Sequence, residues 1–181
     1  MTRSIVIVAL LITRAGVGYP DQHAAVRRLA PSVFPNLPRQ VRTTLEQRRC
    51  TIPQAFEMKT RGNAVAGAFT GPRRQEWAVL CSILDTTQIL VIDGQSGRVL
   101  DSLERSADRT WIQDIGNGRL GYSRRLMSLP RNRIPRWRAD VERRPIPQPI
   151  DHDALQQSFV DKFSEAFYFA AGRWHKQITA D

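Results

Sequence analysis

Cysteine, lysine and histidine are scarce in this chain. Of 181 residues, two are cysteine and three are histidine, and lysine is confined to Lys59, Lys162 and Lys176. Two isolated cysteines without a CxxC partner do not make a zinc site. Three scattered histidines, His23, His152 and His175, leave few groups to converge on a catalytic or metal centre. There is no phosphate loop, dinucleotide fingerprint or HExxH, and neither Ser158 nor Ser164 sits in a G-x-S-x-G elbow. No cofactor and no metal are therefore expected, and the pattern leans away from an enzyme. Long hydrophobic runs are missing too. None reaches the roughly 20 residues a transmembrane helix needs, and no repeat is long enough for a solenoid or a full propeller.

What the N-terminus does have is a three-part leader pattern. Met1-Thr-Arg3 is short and basic, Ser4–Ile12 is an apolar run, and Thr13–Gly18 is rich in small residues. This reads as a signal peptide over residues 1–18, cut before Tyr19 with Gly16 and Gly18 at the −3 and −1 positions. Export predicts a periplasmic or secreted protein, with no membrane span after the leader is removed. In an oxidising compartment the even pair Cys50 and Cys81 is expected to form a disulfide. Residues 19–36 read as an N-terminal arm and 37–181 as a single domain.

Acidic charge is also in short supply. The formal net charge is +10, carried almost entirely by arginine, the residue whose planar fork suits carboxylate and phosphate. Such a balance fits a soluble charged surface, and it also fits contact with an anionic polymer.

Along the chain, Asp21–Leu29 can make a short helix ending before Pro31. Leu37, Val41 and Leu45 form one apolar stripe with Pro38 in the first turn, which predicts a helix through Arg48 that delivers Cys50. Asn63–Phe69, Glu76–Ile83 and Gln88–Ile92 read as strands, with Arg98–Leu100 as a short fourth. Glu76–Ile83 is apolar on both faces, which predicts a central strand. Thr110–Ile115 is open between helix and strand. Residues 123–149 hold many arginines and prolines and read as a long basic excursion. Glu165–Phe169 and Trp174–Ile178, joined through Gly172, read as a C-terminal hairpin. The expected fold is α+β: an antiparallel β-meander, an N-terminal helix tethered to it by the disulfide, and a C-terminal β-hairpin.

Gly67-Ala-Phe-Thr-Gly-Pro-Arg-Arg-Gln-Glu-Trp-Ala-Val79 resembles the core of FG-GAP/VCBS-type β-propeller repeats, through Gly67, Phe69, Gly71, Glu76, Ala78 and Val79. Ala68 and Pro72 stand where that pattern carries calcium-binding acids, so the resemblance implies a blade-like meander without its calcium site. More broadly, Leu37-Pro, Arg49-Cys-Thr-Ile-Pro-Gln54, Trp77–Cys81, Asp151-His-Asp and Gly172-Arg-Trp make the chain similar to small uncharacterised secreted bacterial proteins. That likeness implies export and a Cys50–Cys81 pair, and it points to no known activity.

Two segments are candidates for function. Arg131, Arg133, Arg136, Trp137 and Arg138 combine cations with an aromatic ring, which suits phosphate contact and stacking. Asp151-His152-Asp153 could serve as an acid/base group; the alternative is an exposed turn with an aspartate capping a short helix over Ala154–Lys162. The leading functional expectation is an exported, non-catalytic protein that contacts a partner protein or an anionic envelope polymer. The alternatives are a hydrolase using Asp151–Asp153 and a nucleic-acid-binding protein using the arginine-rich segment, which would need a continuous basic face.

Overall fold

The computed structural model describes residues 26–134 and 149–180. The expected leader, the start of the arm, and Arg136, Trp137 and Arg138 lie outside the described residues. In chain order the first elements are β1 (Arg28–Leu29), α1 (Arg39–Gln47), β2 (Ile52–Pro53), β3 (Ala64–Gly67), β4 (Glu76–Ile83), β5 (Thr86–Asp93) and β6 (Val99–Ala107). They are followed by β7 (Ile112–Asp114), β8 (Leu120–Tyr122), β9 (Arg124–Leu129), β10 (Ala154–Phe159), β11 (Phe163–Ala170) and β12 (Arg173–Ala180).

The α+β fold class expected from the sequence is what forms. β3, β4, β5 and β6 pair as one antiparallel meander, and β9, β10, β11 and β12 as a second. The two are stacked in the same strand order. β3 lies against β9. At the other edge Trp174 Nε1 on β12 donates to Asp101 Oδ2 on β6 at 2.8 Å. Between the sheets Phe69, Ala78, Leu80, Ile89 and Val91 meet Leu126, Leu155 and Phe167. On its far face the first sheet packs Val79, Cys81, Leu90 and Ile92 against Leu37, Val41 and Leu45 of the helix region. The strands β4 and β5 are thus covered on both sides, which is why their sequences read as near-continuous apolar runs.

The helix end explains how the staple is placed. Arg49 sits at φ 57°, its N–H donates to Glu46 O at 2.8 Å, and Cys50 N–H donates to Leu45 O at 2.9 Å. This is a Schellman ending with arginine in the left-handed position usually given to glycine. It turns Cys50 onto β4, where it bonds to Cys81 with a Cα–Cα distance of 5.1 Å. The same helix docks on the β5–β6 turn. Thr44 Oγ1 donates to Gly97 O at 2.7 Å, and a Cβ at Gly97 (φ 72°) would fall 2.6 Å from Gln40 O. Only glycine admits that approach. No described helix is long and apolar enough to cross a membrane.

Three local expectations are corrected. Arg28–Leu29 forms β1, paired with β2, and is not helical: pairing with Ile52 and Pro53 satisfies its backbone where a short helix stopped by Pro31 would leave it open. Ala154–Phe159 is a strand flanked by β9 and β11; its Leu155 enters the inter-sheet core, and the strand period wins over the short capped helix. The basic excursion does not begin at residue 123. Residues 124–129 are β9, and Arg131–Arg133 is a turn of 3-10 helix. Composition misled here because Arg124 is buried with its own acceptors. Thr110–Ile115, open in the sequence, divides into the end of a 3-10 turn, Asp108–Trp111, and β7.

Candidate functional site at one end of the sandwich

β4 and β5 are joined by a two-residue turn, Leu84-Asp85, with both residues at positive φ (48° and 58°). That is the geometry in which asparagine or glycine is cheapest. Leu84 there is 93% exposed. The β10–β11 tip, Val160–Lys162, lies at the same end, because the Trp111–Gln113 segment touches both tips. Ile112 lines a cleft with Leu84, the Trp111 ring stands 5.4 Å from the Phe159 ring, and Gln113 Nε2 donates to Val160 O at 3.2 Å.

Behind the first tip lies a buried polar network. Asp108, just past β6, is 2% exposed. Its Oδ2 accepts from Ser82 Oγ and from Arg28 Nη2, each at 2.7 Å, and its Oδ1 accepts from Thr87 Oγ1. Arg28 Nη2 also donates to Asp85 Oδ1 at 2.6 Å. β1 is thereby tied to the Leu84-Asp85 turn and to the end of β6. A cleft of about 410 Å³ opens beside these groups, lined among others by Val26, Arg28, Leu84, Asp85 and Arg109.

Among the described residues Arg124 is the largest fully buried side chain. Its Nε donates to Gln157 Oε1 at 2.9 Å, Nη2 to Glu104 O at 2.8 Å and Nη1 to Thr87 O at 3.3 Å. Its guanidinium carbon stands 4.7 Å from the Trp111 ring centroid, a cation–π contact. One acceptor is made by a β-bulge. Between Thr87 and Ile89 the β5–β6 register shifts, and Glu104 takes φ 50°, which leaves its carbonyl free of the ladder and turned to Arg124. Burial pulls the guanidinium pKa down, while Tyr122, Glu104 and Asp108 nearby push it back up. The neighbouring Tyr122 phenol is pushed far above its ordinary value, chiefly by burial. These groups hold the sheets together and are closed to solvent.

The acid/base candidates occupy another region. His152 is buried; its Nδ1 is 2.6 Å from Asp151 Oδ1, and its ring stacks on Tyr168 at 4.4 Å. The bond from His152 is the main reason the Asp151 carboxyl lies below its ordinary pKa. Among the described residues His152 Nε2 is buried without a hydrogen-bond partner, while the Tyr168 hydroxyl stands 3.2 Å from Nδ1. Asp153 is consumed by backbone: Oδ2 accepts from Ala68 N at 3.2 Å, and Oδ1 from Arg131 N at 3.3 Å. Of the polyanion candidates, Arg131 and Arg133 are exposed, and Arg131 Nη1 also donates to Asp151 O at 3.4 Å. Among the described residues no group of three His, Cys, Asp or Glu side chains could hold a metal.

Glu76 caps the turn between β3 and β4. Its Oε2 accepts from Phe69 N at 2.6 Å and Thr70 N at 2.8 Å, and Oε1 from Thr70 Oγ1. Sequence reasoning missed Arg28 and Asp108, and it placed Arg124 in the arginine-rich binding segment where the structure buries it. The signal for Arg124 was present in the period-2 run Tyr122-x-Arg124-x-Leu126, which puts the arginine on the core-facing side of a strand. Compared with models of known families, with curated proteins and with solved structures, the chain matches none.

Proposed function

We propose that this chain is an exported, non-catalytic binding protein that contacts a partner protein through the Leu84-Asp85 end of its sandwich. The observation that carries the reading is Leu84 itself. A leucine in a left-handed turn position is held against backbone preference, and strain of this kind concentrates at functional positions. It lies almost wholly in solvent, where it adds nothing to the core. Arg28 and Asp108 brace the turn from behind, which suits a preorganised anchor. Arg109 on the cleft rim is exposed, so the complementary partner presents an apolar socket flanked by a carboxylate. The buried disulfide supports an oxidising compartment. The bonding around Asp151, His152 and Asp153 supports a clamp between β10 and the β3–β4 loop more than it supports hydrolysis, since Asp153 is taken up by backbone N–H groups and His152 Nδ1 by Asp151 and the Tyr168 hydroxyl.

Leu84→Asn removes the anchor and gives the turn a residue that accepts its φ. The variant is expected to unfold at the same temperature or a few degrees higher, because the substitution relieves backbone strain. A photo-crosslinking residue at Thr86 should capture one discrete envelope protein with the native chain and lose it with Leu84→Asn. An unchanged crosslinking pattern, or none with either chain, overturns the reading.

A further inference from the structure

We propose that the cleft at the β10–β11 tip binds a neutral, hydroxyl-rich ligand of the saccharide class. The site is separate from the Leu84 contact and stands without it. Its volume is about 460 Å³, within the range of small-molecule sites. Its lining is chemically mixed in a particular way. Arg125 and Lys162 contribute two cations and Glu57 and Asp161 two carboxylates, so the formal charge of the cleft is balanced. Arg125 Nη1 is 2.8 Å from Glu57 Oε1, and both side chains remain partly exposed with further donors and acceptors to offer. Ser158 Oγ and Ser164 Oγ, facing each other across β10 and β11, are 2.8 Å apart; a hydroxyl pair keeps capacity in both directions after bonding to itself. Phe159 and Phe163 also line the cleft, their ring centroids 6.0 Å apart, and Lys162 Nζ is held 4.4 Å over the Phe159 ring.

Balanced charge decides between ligand classes. A phosphate or a polyanion would have to displace Glu57 from Arg125 and lie beside Asp161, and like charges at close range oppose it. A free cation meets Arg125 and Lys162 in the same way. A ligand whose hydroxyls both donate and accept can use carboxylates, guanidinium and serines together, with apolar C–H surface left for the ring edges. The frame is rigid: Val160 N donates to Ser123 O at 3.0 Å, and Val160 O accepts from Gln113 Nε2, so the tip is fixed before any ligand arrives.

The test is binding of the full chain to an array of immobilised neutral and uronic-acid glycans, followed by amide NMR titration with the soluble form of the best one. Saturable shifts are expected at Glu57, Ser158, Lys162 and Ser164 with a neutral glycan. Arg125→Gln and, separately, Lys162→Gln should each weaken binding about tenfold with unchanged thermal unfolding. Leu84→Asn should leave glycan binding intact, which separates this site from the protein contact. Binding to no glycan, preference for uronic acids, or shifts confined to other residues overturns the proposal.

Discussion

Replacing Arg124 by methionine keeps most of the side-chain length and removes three hydrogen bonds at once. The acceptors Gln157 Oε1, Glu104 O and Thr87 O stay behind. Gln157 cannot easily turn away, because its Nε2 is committed to Glu165 Oε2 at 2.9 Å. A buried acceptor left unpaired costs about 1–3 kcal/mol. The Thr87 bond is long at 3.3 Å, so two acceptors dominate and contribute about 3 kcal/mol between them. Loss of the Trp111 contact adds about 1 kcal/mol. Against this, Glu104 can relax out of its left-handed conformation and recover about 1 kcal/mol. Removing a buried charge also lifts a desolvation penalty, which is why apolar replacement of whole buried ion pairs is often neutral. Here only one partner is replaced, and the acceptors remain. The expected net loss is about 3 kcal/mol. Urea unfolding should show a lower midpoint with an unchanged slope. Arg124→Lys should fall close to methionine, since an ammonium cannot fork to three separated acceptors. A methionine variant within about 0.5 kcal/mol of the native chain, a shift typical of surface substitutions, would refute the view that this guanidinium holds the two sheets in place.

Two further outcomes test other parts of the fold. Cys50→Ser with Cys81→Ser opens a link across 31 residues, and the chain-entropy estimate for that loop is about 4 kcal/mol; a loss under about 1 kcal/mol in denaturant would mean that helix packing alone fixes α1, whatever the loop estimate. Asp93 accepts from Ser96 Oγ at 2.7 Å, Ser96 N at 2.7 Å and Gln95 N at 3.2 Å. These bonds, the Ser96 hydroxyl first, hold its pKa below the ordinary 3.8. A depressed folded pKa means the contribution is complete above the unfolded value and lost as pH falls through the folded one. Asp93→Ala should therefore be less stable than the native chain at pH 7, with the gap closing as acid brings the solution below pH 3.8; a gap that does not change with pH contradicts the assignment.

What the sequence made legible was whatever a local period carries. Leu37, Val41 and Leu45 share a helix face by spacing alone, and they pack as that spacing says. Glu76–Ile83 was readable as a central strand because burial on both sides removes the polar alternation; its bounds fall where the apolar run does. Asp151, His152 and Asp153 were visible as a cluster, but their roles depend on Tyr168, Ala68 and Arg131, from three other places in the chain. Arg124 shows the limit most clearly. In composition it is one arginine in a basic, proline-rich stretch, and such stretches cannot ordinarily bury much surface. Its burial is made possible by acceptors 20, 33 and 37 residues away, one of them created by a bulge in a strand the sequence showed only at its first two residues. No local pattern encodes that arrangement. A strand period that places a charged residue on the core side is the trace it leaves, and that trace points to a search for distant backbone carbonyls before it points to a loop.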